Sequence, residues 1–286
     1  MRPMTIQPEC YDCLLRLVTL TVNLAGGGPE KEKQAQEASL GIIRREFRDG
    51  AIPAAIANLF HRAIRDATGN PDPFSSRKAA ETAFLGRMHA RIAASYHGDL
   101  DSLLRLAVVG NAIDFFREKK EVTREMLSQA QWTRADLEPL RRRLENGPGD
   151  LLYLADNAGE QFFDLPLVSH LLRLGWQAHY VVKGGPIQND LTRADLYVSG
   201  LGEALEPVTD TGAATVGLVL PEAGAAFQEL YRQADLILAK GMGHFETLSH
   251  LEDPRLFFLL QAKCSPVARA LGVDRGAFVL QQAVGA

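Results

Sequence analysis

The chain reads as an α/β protein with a helical first half, and three observations carry that reading. Residues from about Ile6 to Glu145 repeat apolar side chains at helical spacing. After Asn146-Gly147-Pro148-Gly149, short Val/Ile/Leu-rich runs alternate with amphipathic segments, the pattern of βαβ units in a mostly parallel sheet. Finally, four apolar runs of the second half end in a charge, at Asp156, Lys183, Lys240 and Lys263. Ligands of open α/β sheets bind beyond the carboxyl ends of the strands, so such charges face a common cleft.

Taken in order, Cys10, Cys13, Leu14, Leu17 and Leu20 share one helical face, followed by Ile42, Ile43 and Phe47, then Ala54, Ile56, Leu59 and Phe60. Ala83 to Ser95 and Leu103 to Phe116 repeat the spacing. Helix-stopping clusters fall at Gly26-Gly27-Gly28-Pro29, at Gly69-Asn70-Pro71-Asp72-Pro73 and at Asn146 to Gly149. The last divides the chain into an expected helical domain over 1–147 and an α/β domain over 148–286. Expected strands are Leu151 to Ala155, Ala178 to Val182, Thr215 to Leu220, Leu236 to Ala239, Leu256 to Leu260 and Phe278 to Gln281.

Composition narrows the function. At 286 residues, 46% hydrophobic and 23% charged, the chain has ample material for a core. A net charge of -4 offers no electrostatic footprint for nucleic acid. No apolar stretch approaches the roughly 18 to 20 residues that span a bilayer, and no basic-then-apolar leader opens the chain, so neither membrane nor secretion is expected and the location read from sequence is cytoplasmic. Three cysteines, Cys10, Cys13 and Cys264, are too few for a disulfide scaffold, and reduced thiols are expected. The oligomeric state is left open.

The chemistry concentrates at the strand ends. Asp156-Asn157, followed by Gly159-Glu160, reads both as a helix start, since Asp and Asn cap well, and as a ligand set. Together with Asp190, which follows Lys183-Gly184-Gly185-Pro186-Ile187-Gln188-Asn189, the Asp156 carboxylate and the Asn157 amide oxygen are three hard donors suited to Mg²⁺ or Mn²⁺, with Co²⁺ or Ni²⁺ as substitutes. His170, His179, His244 and His250 lack zinc-helix pairing, and Cys10-x-x-Cys13 has no second pair. Lys263 is the only charge in Leu256 to Cys264, so it either reaches solvent or meets an anion. Lys240-Gly241-Met242-Gly243-His244 lets backbone approach a ligand, or is simply a glycine turn. Neither loop matches a Walker cradle or a dinucleotide fingerprint. In the helical half, Asn111 and Asp114 lie at i and i+3 on one face, either solvated or closing over the cleft.

Jointly these motifs are recognisable. Glu9-Cys10-Tyr11-Asp12-Cys13-Leu14, Asp72-Pro73-Phe74, Gly110 to Asp114, Asp156 to Glu160, Lys183 to Asp190, Lys240 to Glu246 and Ala262-Lys263-Cys264 stand in this order across nearly the whole chain. The chain resembles the damage-control phosphatase family, domain of unknown function 89, and its prokaryotic Cys-x-x-Cys branch. The resemblance implies a three-layer α/β/α Rossmann-like core beside an all-helical N-terminal domain. It implies that Asp156, Asn157 and Asp190 hold a divalent metal, with Asp156 and Asp190 central to catalysis, and that Glu160, the Lys240 loop and Lys263 contact the substrate. Relatives often carry Asn where His244 stands here. The implied activity is hydrolysis of phosphate esters of small metabolites, sugar phosphates or damaged phosphometabolites.

Such hydrolysis rests on positioning and charge neutralisation: Lys240, Lys263 and loop amides would take up phosphoryl charge beside a metal at Asp156, Asn157 and Asp190. The attacking oxygen is water or Asp156 itself; the Asp-x-Asp of haloacid-dehalogenase-type phosphatases is missing, because Ala158 occupies the second position. Methyl transfer on a Rossmann-like core, and metal or metabolite binding without turnover, are the competing readings.

Overall fold

The computed structural model describes residues 2–93, 96, 98–112 and 130–284. Helices α1 (Pro8–Ala25), α2 (Pro29–Glu46) and α3 (Pro53–Thr68) each open on a proline, whose missing N–H costs nothing in a first turn. They are followed by α4 (Ser75–Ile92) and α5 (Leu100–Ala112). Strand β1 (Trp132–Ala135) and α6 (Leu137–Glu145) lead into β2 (Asp150–Leu154), α7 (Gln161–Arg173), β3 (Gln177–Val182), α8 (Arg193–Val198) and β4 (Val208–Asp210). The chain continues through α9 (Ala225–Gln233), β5 (Leu236–Lys240), α10 (Met242–Leu248), β6 (Asp253–Gln261), α11 (Ser265–Leu271) and β7 (Phe278–Ala283).

The seven strands form one sheet in the order β1-β7-β6-β5-β2-β3-β4, parallel throughout except between β6 and β7. Its central strands are apolar on both faces because both are covered. Leu152, Leu154, Ile237, Ala239, Phe258 and Leu260 point towards the layer that holds α1 to α3 and α9 to α11. Leu151, Tyr153, Leu236, Leu238, Phe257 and Leu259 point towards α5 to α8. Fully buried Phe257 and Phe258 thus serve opposite layers, each contributing about 1.5–3 kcal/mol of burial. Helix α4 lies across the top of α5 and α7 through Leu85, Met88, Ile92, Leu106, Val109 and Phe163.

Three sequence expectations change here. Thr215 to Leu220 is a loop that turns into a 3-10 turn at Leu220–Glu222, and the strand beside β3 is Val208–Asp210. Side chains take backbone groups in the middle of this loop: Val216 N donates to Asn58 Oδ1 at 2.7 Å, and Gly217 O accepts from Lys183 Nζ at 2.6 Å, which withdraws them from a ladder. In the stretch read as helical, Trp132–Ala135 is a strand with little apolar alternation, formed because β7 offers it a parallel edge. The sheet therefore draws on residues before 148. Asp114 and the expected helix ends at Ser95 and Phe116 lie outside the described residues.

Strand order decides where the cleft is. From β2 the chain moves outward through β3 and β4, then returns to place β5 and β6 on β2's other side. Crossovers therefore diverge between β2 and β5, and a crevice opens at their carboxyl ends, where Asp156 and Lys240 stand.

Candidate active site

Asp156 leaves β2 with its carboxylate in a cage of amides. Asn111 Nδ2, at the end of α5, donates to Asp156 Oδ2 at 2.7 Å, and Asn157 Nδ2 donates to the same oxygen at 2.9 Å. Both amides also reach Glu160 Oε1, at 3.1 Å and 2.7 Å. The loop from β3 closes over this turn: Leu191 N donates to Asp156 O at 2.8 Å, Ala158 N to Asn189 O at 2.8 Å, and Asn157 and Asp190 form a bridge. Sterics demand glycine at two points. Gly159 has φ +96, and a β-carbon there would come within 2.6 Å of Leu85, so α4 rests directly on the turn. Gly241 has φ +86, and a β-carbon there would collide with the Asp156 carboxylate.

The lysines sort into different environments. Lys240, 1% exposed, points into the protein, its ammonium paired with Asp164 and with Glu160 Oε2, the latter at 2.8 Å. Asp164, on the first turn of α7, also accepts from Tyr153 OH at 2.8 Å and Tyr180 OH at 2.7 Å. One carboxylate thus ties β2, β3 and β5 together beneath the site. Lys183 Nζ lies 3.4 Å from Asp190 Oδ2 and 3.1 Å from His244 Nε2. Burial, reinforced by the Lys183 charge, holds His244 well below the usual imidazole range, so the ring is neutral. Its Nδ1–H donates to Lys240 O at 2.7 Å, and its Nε2 lone pair accepts from Lys183. His244 is 1% exposed and belongs to this internal chain. Gly243 is pressed against Gly217 of the neighbouring loop. Lys263 ends the run after β6 and acts electrostatically on Asp156.

Four buried carboxylates, Asp156, Glu160, Asp164 and Asp190, face three buried lysines, Lys183, Lys240 and Lys263. The imbalance shows in their acidities. Burial first, then Glu160 and Asp190, push Asp156 far above the carboxylate range, against the pull of Lys263 and Lys183. Burial raises Asp190 to about 6 although Lys183 opposes it. Burial disfavours the Lys240 ammonium, but Asp164 and Glu160 outweigh it and raise its pKa.

The damage-control phosphatase ARMT1-like domain matches residues 6–279. The chain belongs to that family. It is 34% identical over 284 residues to a damage-control phosphatase of Pyrococcus horikoshii, covering 96% of this chain and 97% of that one. A damage-control phosphatase of Archaeoglobus fulgidus is 29% identical over 283 residues, covering 96% and 98%. The crystal structure of a DUF89 family protein from Pyrococcus horikoshii superposes with a TM-score of 0.87 at 32% identity, covering 98% of this chain and 99% of that one.

The sequence-derived residues Asp156, Asn157, Glu160, Asp190, Lys240, Gly241, Gly243, His244 and Lys263 lie at the strands' carboxyl ends or on the segments that follow them, and Asn111 joins them from the end of α5. Among the described residues, no three His, Cys, Asp or Glu side chains gather tightly enough to hold a metal ion alone. A divalent metal, which the phosphatase family suggests, would here meet two carboxylates and an amide. They fit. Asp190 Oδ2 is buried and meets only the Lys183 ammonium, at the long distance of 3.4 Å, and the crowding that raises Asp156 and Asp190 is what a cation would relieve by displacing their protons. Ligation by the Asn157 oxygen requires its amide to turn over, since its nitrogen now faces Asp156.

Sequence reasoning missed Asp164, Tyr153 and Tyr180. A signal was present: Asp164 is the only charge between Gln161 and Ser169 in an apolar helix, the same signal that singled out Lys263. Cys10 is buried and Cys13 exposed on α1, and Cys264 is half-buried at the start of α11. Burial raises the Cys10 and Cys264 thiols, which suits reduced, unreactive groups.

Proposed function

We propose that the crevice hydrolyses phosphate esters of small metabolites with the help of a divalent metal, Mg²⁺ or Mn²⁺, held by Asp156, Asn157 and Asp190. Membership of the Cys-x-x-Cys branch belongs to the same reading, supported by Cys10 and Cys13. What carries it is the excess of buried carboxylates over lysines at the strand ends with Lys263 set to act on Asp156, since a divalent cation would offset that excess and free Lys263 for an anionic phosphoryl group. When bound, the metal would polarise a phosphoryl oxygen and acidify water.

The chain's own residues do the rest. Asn111 holds Asp156 Oδ2 and so fixes the carboxylate, leaving Oδ1 to meet the cation or a water, while the Asn157 amide, which also donates to that oxygen, would turn over to ligate. Lys263 supplies an ammonium for developing negative charge where burial keeps the effective dielectric low. Lys240 acts through Glu160, which it orients against the two amides. Lys183 holds Asp190 from below. In this reading Lys240 and His244 position the site, and Lys263 meets the substrate. The Asp156 to Glu160 turn is occupied by carboxylate–amide contacts, and nothing in it favours methyl transfer.

The test is a screen of sugar phosphates, nucleotides and phosphorylated cofactor fragments for phosphate release, with Mn²⁺ or with EDTA, beside Asp156→Ala. Release that needs metal and vanishes in the variant is expected; undiminished release in metal-stripped protein or in Asp156→Ala would sink the proposal.

A further inference from the structure

Gln188 is the only non-glycine among the described residues with positive φ, at 46°. It stands two residues before Asp190, in a turn closed by Asp190 N donating to Ile187 O at 3.1 Å. Left-handed backbone is unfavourable for a side chain such as glutamine and persists only where the surroundings over-determine it. Here the surroundings are helices of the N-terminal half. Gln188 Nε2 lies 2.9 Å from His61 Nε2 on α3. His61 is buried, and burial lowers its pKa to about 3, so the neutral ring accepts from the glutamine amide. The ring itself is wedged, tilted on Phe60 with centroids 4.8 Å apart and edge-on to Phe74 at 6.3 Å. The next residue is also held: Asn189 Nδ2 donates to Glu81 Oε2 of α4 at 3.0 Å, and Glu81 is oriented by Arg77 Nε at 3.1 Å. Past the turn, Lys78 of α4 pairs with Asp195 at 2.8 Å, the residue that closes the capping box of α8 on Thr192.

A strained turn held by side chains from outside the sheet, and followed immediately by Asp190, has the form of a positioning device. We infer that His61 and Gln188 are positioning residues for Asp190: the helical layer holds the β3–α8 loop in a strained turn so that the Asp190 carboxylate is preset for the cation. The inference rests on the proposed metal role of Asp190.

The experiment is calorimetric titration of metal-free protein with Mn²⁺, beside thermal melting of the same samples. Gln188→Gly removes both the strain and the bond; relief offsets loss, so its melting temperature stays within about 3 °C of wild type while Mn²⁺ affinity falls about tenfold, as for other groups that orient a metal ligand. His61→Phe, which keeps the ring but not the acceptor, weakens Mn²⁺ similarly. His61→Gln, whose amide oxygen can stand where Nε2 stood, restores most of the affinity. Asp190→Asn separates the two layers of the argument. If it leaves Mn²⁺ binding unchanged, the metal role of Asp190 is wrong. If it weakens binding while Gln188→Gly and His61→Phe bind as wild type, the metal role stands and the positioning inference is overturned. A uniform fall in melting temperature with unchanged affinity would likewise reduce His61 and Gln188 to structural contacts.

Discussion

Replacing Lys240 with methionine keeps chain length and deletes the charge between Asp164 and Glu160. Lys240 is 1% exposed, and its partners are 0% and 2% exposed, so the substitution leaves two desolvated carboxylates facing an apolar side chain. Removing one partner of a buried ion pair costs about 3–5 kcal/mol. For a chain of this size each kcal/mol moves the melting temperature by about 2–4 °C, so a drop of about 6–20 °C is expected. Melting in phosphate-free, metal-free buffer measures it without interference from ligands. Asp164→Asn in the same chain removes one of the stranded charges, and the double variant should regain part of the loss, a coupling read from the double-mutant cycle. The reasoning fails if Lys240→Met melts like wild type and loses phosphate affinity, because Lys240 would then be a substrate ammonium.

Lys263→Met should do the opposite: a melting temperature near wild type, with turnover down about 100-fold, the loss typical of one charge-stabilising donor. Several degrees of destabilisation with unchanged phosphate binding would make Lys263 a structural ion-pair partner. The metal-free protein should also respond to pH through Asp190, whose folded value of about 6 exceeds its ordinary 3.8. Between those values the folded state keeps a proton that the unfolded state has lost, so metal-free stability falls as pH rises through this window. A cation competes with that proton, so the melting-temperature gain from saturating Mn²⁺ should grow from about pH 5 to about pH 7, and Asp156, raised further than Asp190, carries the rise beyond that window. A gain that shrinks across this range would refute the assignment.

The sequence by itself determined where the chemistry could be. Apolar runs ending in Asp156, Lys183, Lys240 and Lys263 are local facts, and the parallel sheet turns strand ends into neighbours. Period and breaker residues likewise gave five of six expected strands, because a buried strand writes its own apolar run. Thr215 to Leu220 looked the same but is held by Asn58 and Lys183, residues far away in sequence. Trp132–Ala135 wrote no such run and became a strand only because β7 had an edge to fill. The same distinction separates Lys240 from Lys263. Each closes an apolar run, yet Asp164 and Glu160 capture the first inside the core while the second acts on Asp156. Only the tertiary structure decides this. A buried charge takes its role from the nearest partner in a low dielectric, and that partner is set by how α7 and α5 pack on the sheet.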